Sequence, residues 1–407
     1  MKAAVWYGPR DVRVTERAVP APGPHEVLLQ VAYCGICSSD LHEYADGPHA
    51  IPTRAPHPAS GARAPLVLGH EFCGTVAAVG DGVAADSPAP ASHPASGARA
   101  PLVLGHEFCG TVAAVGDGVA ADSPAAGDRV AVEPHYRCGT CPRCRAGEYN
   151  ICRHFGFAGL MGDGGPAEYA VVPSSMAHRL PPDVPLEQAA LFEPASVALH
   201  ALRRAGDVRS VAVVGLGPVG LLTVLLAARR GIRRILAADM RPDRLALAGR
   251  LGATDLADAR DTADPRRPDP RAGERIRRLA GAEGVDAAFE AVGSQSALDV
   301  CLAATRRGGR TVLIGLAPRL AFDALALVNN EQSIVAGVGY RDTYPELIRL
   351  VREGGLDLTP VVTSVVPLEA VVERGFAALL EGAGTDIKIL AAPGRPSGAV
   401  SGRGVAE

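Results

Sequence analysis

The chain has 407 residues, a formal net charge of −3 and 47% hydrophobic residues. That charge balance offers no basic footprint for nucleic acid or an anionic membrane surface, and no run of about 18 apolar residues is present to span a bilayer. The length exceeds one ordinary core and leads to an expectation of two domains. The opening residues Met1–Tyr7 carry no apolar signal-peptide core or cleavage site, so the expected location is the cytoplasm. There are nine cysteines, and four of them fall between Cys138 and Cys152. In a reducing compartment that clustering favours metal over disulfides.

Residues 1–35 alternate short apolar runs (Ala3–Trp6, Val12–Val14, Val27–Ala32) with Pro/Gly punctuation, which predicts β-rich structure with little helix. Next, Cys37, Ser38, Ser39, Asp40 and His42 gather a thiol, two hydroxyls, a carboxylate and an imidazole within six residues. Cys34 and Cys37 form a C-x-x-C, but no thioredoxin-like βαβ context accompanies it. A polar turn after a strand, with a buried cysteine, accounts for the same residues.

Residues His57–Ala89 and His93–Ala125 are identical at every position, offset by 36. Each copy carries Leu-Gly-His-Glu-Phe-Cys-Gly, so His70-Glu71 recurs as His106-Glu107. A histidine beside a glutamate, between apolar residues and glycines, suits a metal ligand at the start of a buried strand. Two copies fall short of the three or more a solenoid needs. One metal site needs only one of them.

Beyond Gly127-Asp128-Arg129, a turn into a strand, come Cys138, Cys141, Cys144 and Cys152, spaced C-x2-C-x2-C-x7-C. Four thiolates this close can enclose one tetrahedral Zn²⁺ with no open position; an iron–sulfur cluster is the rival occupant. Residues 153–195 hold a glycine-rich turn (Gly162-Asp163-Gly164-Gly165), a strand at Ala167–Val172, and Glu193 inside an apolar run. There an unpaired charge is costly. Glu193 reads either as a helix-start residue ahead of Pro194 or as a metal ligand.

From residue 196 the periodicity changes. A helix is expected over Ser196–Ala205 and a strand over Ser210–Val214. Gly215-Leu216-Gly217-Pro218-Val219-Gly220, a helix over Leu221–Arg229 and a strand ending at Asp239 follow. That order sets a pyrophosphate over the helix N-terminus and the Asp239 carboxylate on the adenosine ribose hydroxyls. Asp239 repels a 2′-phosphate, so NAD is expected over NADP. Further strands are expected at Val285–Phe289 and Arg310–Ile314, with a surface loop leading into a helix over Ala257–Arg277. Helices at Tyr344–Arg352 and Leu368–Leu380 lead to a strand at Ile387–Ala391. The tail Pro393–Glu407 has the composition of a disordered segment.

Cys37, a Gly-His-Glu, a four-cysteine lobe and a later G-x-G-x-x-G together resemble the zinc-dependent medium-chain alcohol dehydrogenase superfamily, over roughly residues 1–392. Gly35-Ile36-Cys37-x-Ser39-Asp40-Leu41-His42-Glu43-Tyr44, His57-Pro58, Gly156-Phe157-x-Gly159 and Glu193-Pro194-x-x-Val197-Ala198-Leu199-His200 look like its butanediol dehydrogenase branch. Sorbitol and threonine dehydrogenases share less of this set.

The resemblance implies an α/β chain with a GroES-like, β-rich catalytic domain over 1–195. A doubly wound Rossmann domain would span 196–335, with a return to the first domain over 336–392. It implies a catalytic zinc on Cys37, His70 and Glu193, with Glu71 as an exchangeable ligand and His106 and Glu107 as the alternative pair. Asp40 would orient the ligand histidine, and Ser39 and His42 would relay the substrate proton. Cys138, Cys141, Cys144 and Cys152 would hold a structural zinc, and Gly215, Gly217, Gly220 and Asp239 the NAD.

The expected partner is a small alcohol or diol, and the expected assembly a homodimer or homotetramer. A non-catalytic relative disabled by the duplication is a reading of another class. Extending a loop from ~12 to ~48 residues costs roughly 1.2 kcal/mol of closure entropy, so either histidine can serve. His70 is the expectation, because it emerges first and can pair with strands already formed.

Overall fold

Short contiguous apolar runs build the first strands. In β1 (Lys2–Gly8) residues Ala3–Trp6 are buried, and the strand pairs antiparallel with β2 (Asp11–Glu16). β3 (Glu26–Gly35) runs ten residues and delivers the chain into helix α1 (Ser38–Asp46). The polar turn expected after β3 is therefore a helix, started by the side chains of Cys37 and Asp40 in a reciprocal cap. The structure, a computed structural model, describes residues 1–64, 66–67, 71–79, 108–110, 124–125, 127–261, 264, 267–281, 283–382 and 385–394. Over 66–67, 71–79 and 108–110 it describes the backbone only. His70, His106, Glu107 and the tail from residue 395 lie outside the described residues.

β4 (Leu66–Val67) returns to β1, and β5 (Glu71–Val79) runs antiparallel to β3, with Val27 opposite Val79 and Gly35 opposite Glu71. β6 (Phe108–Gly110) belongs to the second copy of the repeat. β7 (Arg129–Val132) pairs with β5, setting Ala131 opposite Cys73 and Val130 opposite Gly74. It also pairs with β6, and there Ala131 is opposite Cys109 and Val130 opposite Gly110. The two copies thus address β7 in the same register.

A short pair of β8 (His135–Tyr136) and β9 (Gly156–Phe157) brackets the cysteine lobe, which contains the four-residue helix α2 (Pro142–Arg145). β10 (Tyr169–Pro173) pairs with β3, and β11 (Ala177–Arg179) takes the remaining edge of β7. A strand has two edges, so the two copies compete for one slot. β5 is laddered to β3 as well as to β7, and β6 meets the same β7 residues Val130 and Ala131.

The chain divides by its contacts into Met1–Glu193 with Tyr344–Glu407, and Pro194–Thr343. After α3 (Leu186–Ala189), helix α4 begins at Phe192 and runs to Ala205, earlier than its spacing predicted, so Glu193 sits in its first turn. The second unit is one parallel sheet. β12 (Ser210–Val214) is followed by α5 (Pro218–Arg229), β13 (Arg234–Asp239), α6 (Pro242–Arg250), β14 (Asp255–Asp258) and α7 (Ala272–Leu279). β15 (Val285–Glu290), α8 (Gln295–Ala304), β16 (Thr305–Leu313), α9 (Ala324–Asn329) and β17 (Ser333–Ala336) complete it. The strand order is β14-β13-β12-β15-β16-β17, the doubly wound dinucleotide-binding order with its switch point between β12 and β15. Ala212, Leu236, Ala288 and Val300 are among its fully packed residues.

Back in the first unit come α10 (Tyr344–Arg352), β18 (Val362–Pro367), α11 (Ala378–Glu381) and β19 (Lys388–Ala392). The helix expected over Leu368–Leu380 is instead a 3₁₀ turn, a π-helical stretch (Val371–Ala377) and α11. The wide turn presses Gly375 onto Ile36, where a Cβ would lie 2.5 Å from the Ile36 side chain. β19 pairs antiparallel with β3, Leu390 opposite Gly35 and Ala391 opposite Cys34. β19 therefore lies beside the residues that precede Cys37.

Candidate active site and metal centres

Cys37 stands at the junction of β3 and α1. Asp40, fully buried one turn on, accepts the Cys37 backbone N–H at 2.9 Å through Oδ2. Ser39 hydrogen-bonds the Cys37 thiol, and Glu193, buried in the first turn of α4, lies close enough to act on it electrostatically. Burial pushes that thiol up to about 11, against the pull of the Lys388 ammonium. A half-buried thiolate and a buried carboxylate repel each other as neighbours, and a divalent cation resolves the conflict. The donor set therefore fits zinc. Glu71 begins β5 with its backbone opposite Gly35, two residues from Cys37. His42 is exposed on α1. Cys34 is fully buried, its Sγ near the Gly35 carbonyl at 3.3 Å, which suits a packed core thiol.

Sequence reasoning passed over Lys388. Its ammonium is buried, donates to the Ile36 carbonyl at 3.3 Å and faces Cys37, Asp40 and Cys34. Burial holds it down to about 8. The signal was present, since a lysine inside the apolar strand Ile387–Ala392 is out of place unless it is paired.

The four lobe cysteines converge, with all four sulfurs within 4.8 Å of one another. Cys141 and Cys152 are 3.9 Å apart, and Cys138 and Cys152 3.5 Å. A Zn–S bond of about 2.3 Å puts tetrahedral sulfurs roughly 3.8 Å apart, so the spacing fits a closed zinc site. Backbone amides of Arg153 and Cys144 draw Cys141 down to about 6. Beside the lobe, buried Glu133 accepts from Tyr149 Oη at 2.8 Å and pairs with His178 Nε2 at 2.9 Å. Against the upward push of burial, His178 holds that carboxyl down to about 2.

In the second unit each glycine of the fingerprint has its own geometry. Gly215 turns at φ +93°, and a Cβ there would lie 2.4 Å from Val292 Cγ2. Gly217 caps α5 without a side-chain acceptor, and a Cβ on it would meet nothing within 4 Å. A Cβ on Gly220 would lie 1.9 Å from the Gly215 carbonyl oxygen. The turn, the open approach to the helix N-terminus and the close helix–strand packing are what a pyrophosphate site requires. Asp239, at the end of β13, accepts the Leu216 N–H at 2.6 Å and the Arg241 N–H at 2.8 Å.

Glu290, also passed over, is fully buried where β15 ends. Its Oε1 accepts from Val292 N at 3.0 Å and Gly293 N at 2.8 Å, while Oε2 is buried without a hydrogen-bond partner. It fixes the 291–293 turn that lies against Gly215.

Residues 23–89 and again 89–182 match the alcohol dehydrogenase GroES-like domain, and residues 218–353 match the zinc-binding dehydrogenase domain. The split at 89 falls on the last residue of the first repeat copy. The (R,R)-butanediol dehydrogenase of Bacillus subtilis (strain 168) is 34% identical, covering 97% of this chain and 100% of its own length. The sorbitol dehydrogenase of the same organism is 32% identical, covering 91% of each. The crystal structure of 2R,3R-butanediol dehydrogenase from Bacillus subtilis superposes with a TM-score of 0.78 at 32% identity. It covers 96% of this chain and 99% of that one. With a GroES-like unit carrying the thiol–carboxylate pair and a doubly wound unit carrying the fingerprint, the chain belongs to the zinc-binding alcohol dehydrogenase family of oxidoreductases.

Proposed function

We propose that this chain interconverts a vicinal diol and its hydroxyketone, 2,3-butanediol and acetoin, by hydride transfer with NAD. The observation that carries the reading is the Cys37–Glu193 pair beside buried Asp40, in a chain that also carries the Gly215–Gly220 loop and Asp239. Cys37, His70 and Glu193 would hold the catalytic zinc, and Cys138, Cys141, Cys144 and Cys152 the structural one. When bound, zinc polarises the substrate oxygen and the nicotinamide exchanges the hydride.

The chain's own residues do the rest. Asp40 anchors the start of α1 and so the direction of Cys37. Ser39 takes the hydroxyl proton, and His42, exposed one turn further on, returns it to solvent. Glu71 would supply an exchangeable carboxylate ligand. Support for His70 over His106 comes from the long β5–β3 ladder, which sets the first copy's Glu71 opposite Gly35. The butanediol assignment rests on the Cys37–Tyr44 and Glu193–His200 motifs and on the coverage of the Bacillus relative.

We further propose a cytoplasmic homodimer, with a homotetramer as its multiple. Leu316, Leu325 and Val328 are 77%, 70% and 71% exposed near the edge strand β17, an apolar surface that a second copy would cover.

The test combines metal analysis with steady-state rates on butanediol, sorbitol and threonine for wild type, His70→Ala and His106→Ala. Two zincs per wild-type chain, one in inactive His70→Ala and the highest kcat/KM on butanediol are expected. A single zinc in wild type sinks the catalytic reading in favour of a disabled relative. An active two-zinc His70→Ala moves the site to His106. A higher kcat/KM on sorbitol or threonine replaces the substrate.

A further inference from the structure

Past β13 the chain turns at Met240 and enters α6 with Arg241 at the N-cap. The Arg241 N–H donates to Asp239 Oδ1 at 2.8 Å, so its side chain begins beside the carboxylate that addresses the adenosine ribose. In dinucleotide folds that accept a 2′-phosphate, an arginine near this position receives it. Here the guanidinium is already engaged. Its Nε donates to Asp243 Oδ1 at 3.0 Å and its Nη2 to Asp243 Oδ2 at 3.1 Å, a two-pronged pair between residues two apart in the chain. The pair is mutual: the shared hydrogen bonds raise the Arg241 pKa and lower that of Asp243.

We propose that Asp243 is a specificity-determining residue, holding Arg241 out of reach of a 2′-phosphate. The chain would then reject NADP⁺ twice, through repulsion by Asp239 and through a cation withheld by Asp243. This inference rests on the reading of the 215–239 region as an NAD site. It also follows that Asp243 alone is a weak filter. Both side chains are about a third exposed (35% and 34%), and pairs of that kind are worth roughly 0.2–1 kcal/mol, at most about fivefold in affinity. The effect is therefore masked while Asp239 still repels the phosphate, and is uncovered once that charge is gone.

The experiment measures NAD⁺ and NADP⁺ dissociation constants by calorimetry on the zinc-loaded full chain. Five proteins are compared: wild type, Asp239→Ser, Asp243→Asn, the Asp239→Ser/Asp243→Asn double variant, and the double variant with Arg241→Ala added. Wild type should bind NAD⁺ and discriminate against NADP⁺. Asp243→Asn alone should shift NADP⁺ affinity little, whereas in the Asp239→Ser background it should tighten NADP⁺ binding several-fold, up to about fivefold. Adding Arg241→Ala should erase that gain, which a mere change in the first turn of α6 would not do. If the double variant does not fold, Asp243→Ser breaks the same pair.

NAD⁺ binding in wild type with no NADP⁺ gain from Asp243→Asn in the Asp239→Ser background overturns the inference alone. A gain that survives Arg241→Ala overturns it too. Failure of wild type to bind either dinucleotide overturns the cofactor reading, and this inference with it.

Discussion

Replacing Gly217 and Gly220 separately by alanine distinguishes a cofactor loop from an ordinary tight turn. Gly217 has φ −69° and ψ −174°, an extended conformation open to any residue, and its added methyl would meet no protein atom within 4 Å. Restricting the unfolded chain at such a site stabilises by about 0.4–1 kcal/mol. If the pyrophosphate approaches this backbone, the same methyl displaces it. Losing one charged hydrogen bond costs about 1.5–3 kcal/mol, or roughly 10–150-fold in the NAD⁺ dissociation constant. Gly217→Ala should therefore keep or raise Tm while weakening NAD⁺ binding at least about tenfold.

Gly220→Ala is the reverse case. Its methyl would lie 1.9 Å from the Gly215 carbonyl oxygen, which is backbone and cannot turn away. Overpacking of this kind costs about 1–3 kcal/mol or more, a fall in Tm of at least about 3 °C. Thermal unfolding without ligand and calorimetric titration with NAD⁺ read the two effects separately. Wild-type NAD⁺ affinity in Gly217→Ala would refute the assignment of the loop to the pyrophosphate.

Three further expectations follow from other groups. Glu290→Ala leaves the Val292 and Gly293 amides without their acceptor, a loss of about 2–4 kcal/mol, while Glu290→Gln keeps a carbonyl there and recovers most of it; urea unfolding of both variants checks this. Burial beside Arg203, Arg204 and Arg341 lowers His200 from 6.5 to about 4, so the folded state refuses a proton that the unfolded chain takes up. Stability from this group is complete above pH 6.5 and is lost as pH falls towards 4, by roughly 3 kcal/mol. His200→Gln should flatten that part of the stability–pH curve, and an unchanged slope would count against it. Cys144→Ser should release one zinc per chain and lower Tm, since a four-thiolate site contributes its binding energy to folding; metal analysis with a melting curve reads both, and iron in the preparation would point to a cluster instead.

Much of this chain could be read from its residues because the decisive patterns are local. The four cysteines are bound to meet because their spacing allows nothing else so economical around one ion, and their sulfurs do converge. The fingerprint glycines and Asp239 are separated by only one helix and one strand, and the sheet sets β12 beside β13 as that short β-α-β unit requires. α4 begins at Phe192, before the Ser196 start its spacing predicts, since Glu193-Pro194 suits a helix's first turn as well as a loop before it.

The tertiary structure decided what depends on residues far apart in the chain. Lys388 reaches the Ile36 carbonyl across 352 positions because β19 pairs with the end of β3, and no local pattern could match that ammonium to Cys37 and Asp40. Glu290 gains meaning only where the loops after β12, β15 and β16 meet. The repeat shows the division most clearly. Two identical segments have identical propensities, so nothing within either one can say which belongs beside β3. That choice falls to β3 and β7, whose single shared gap takes one strand, and β5 of the first copy pairs with both while β6 of the second meets the same β7 residues. Local chemistry specified that a Gly-His-Glu strand would be used; long-range pairing selects which one.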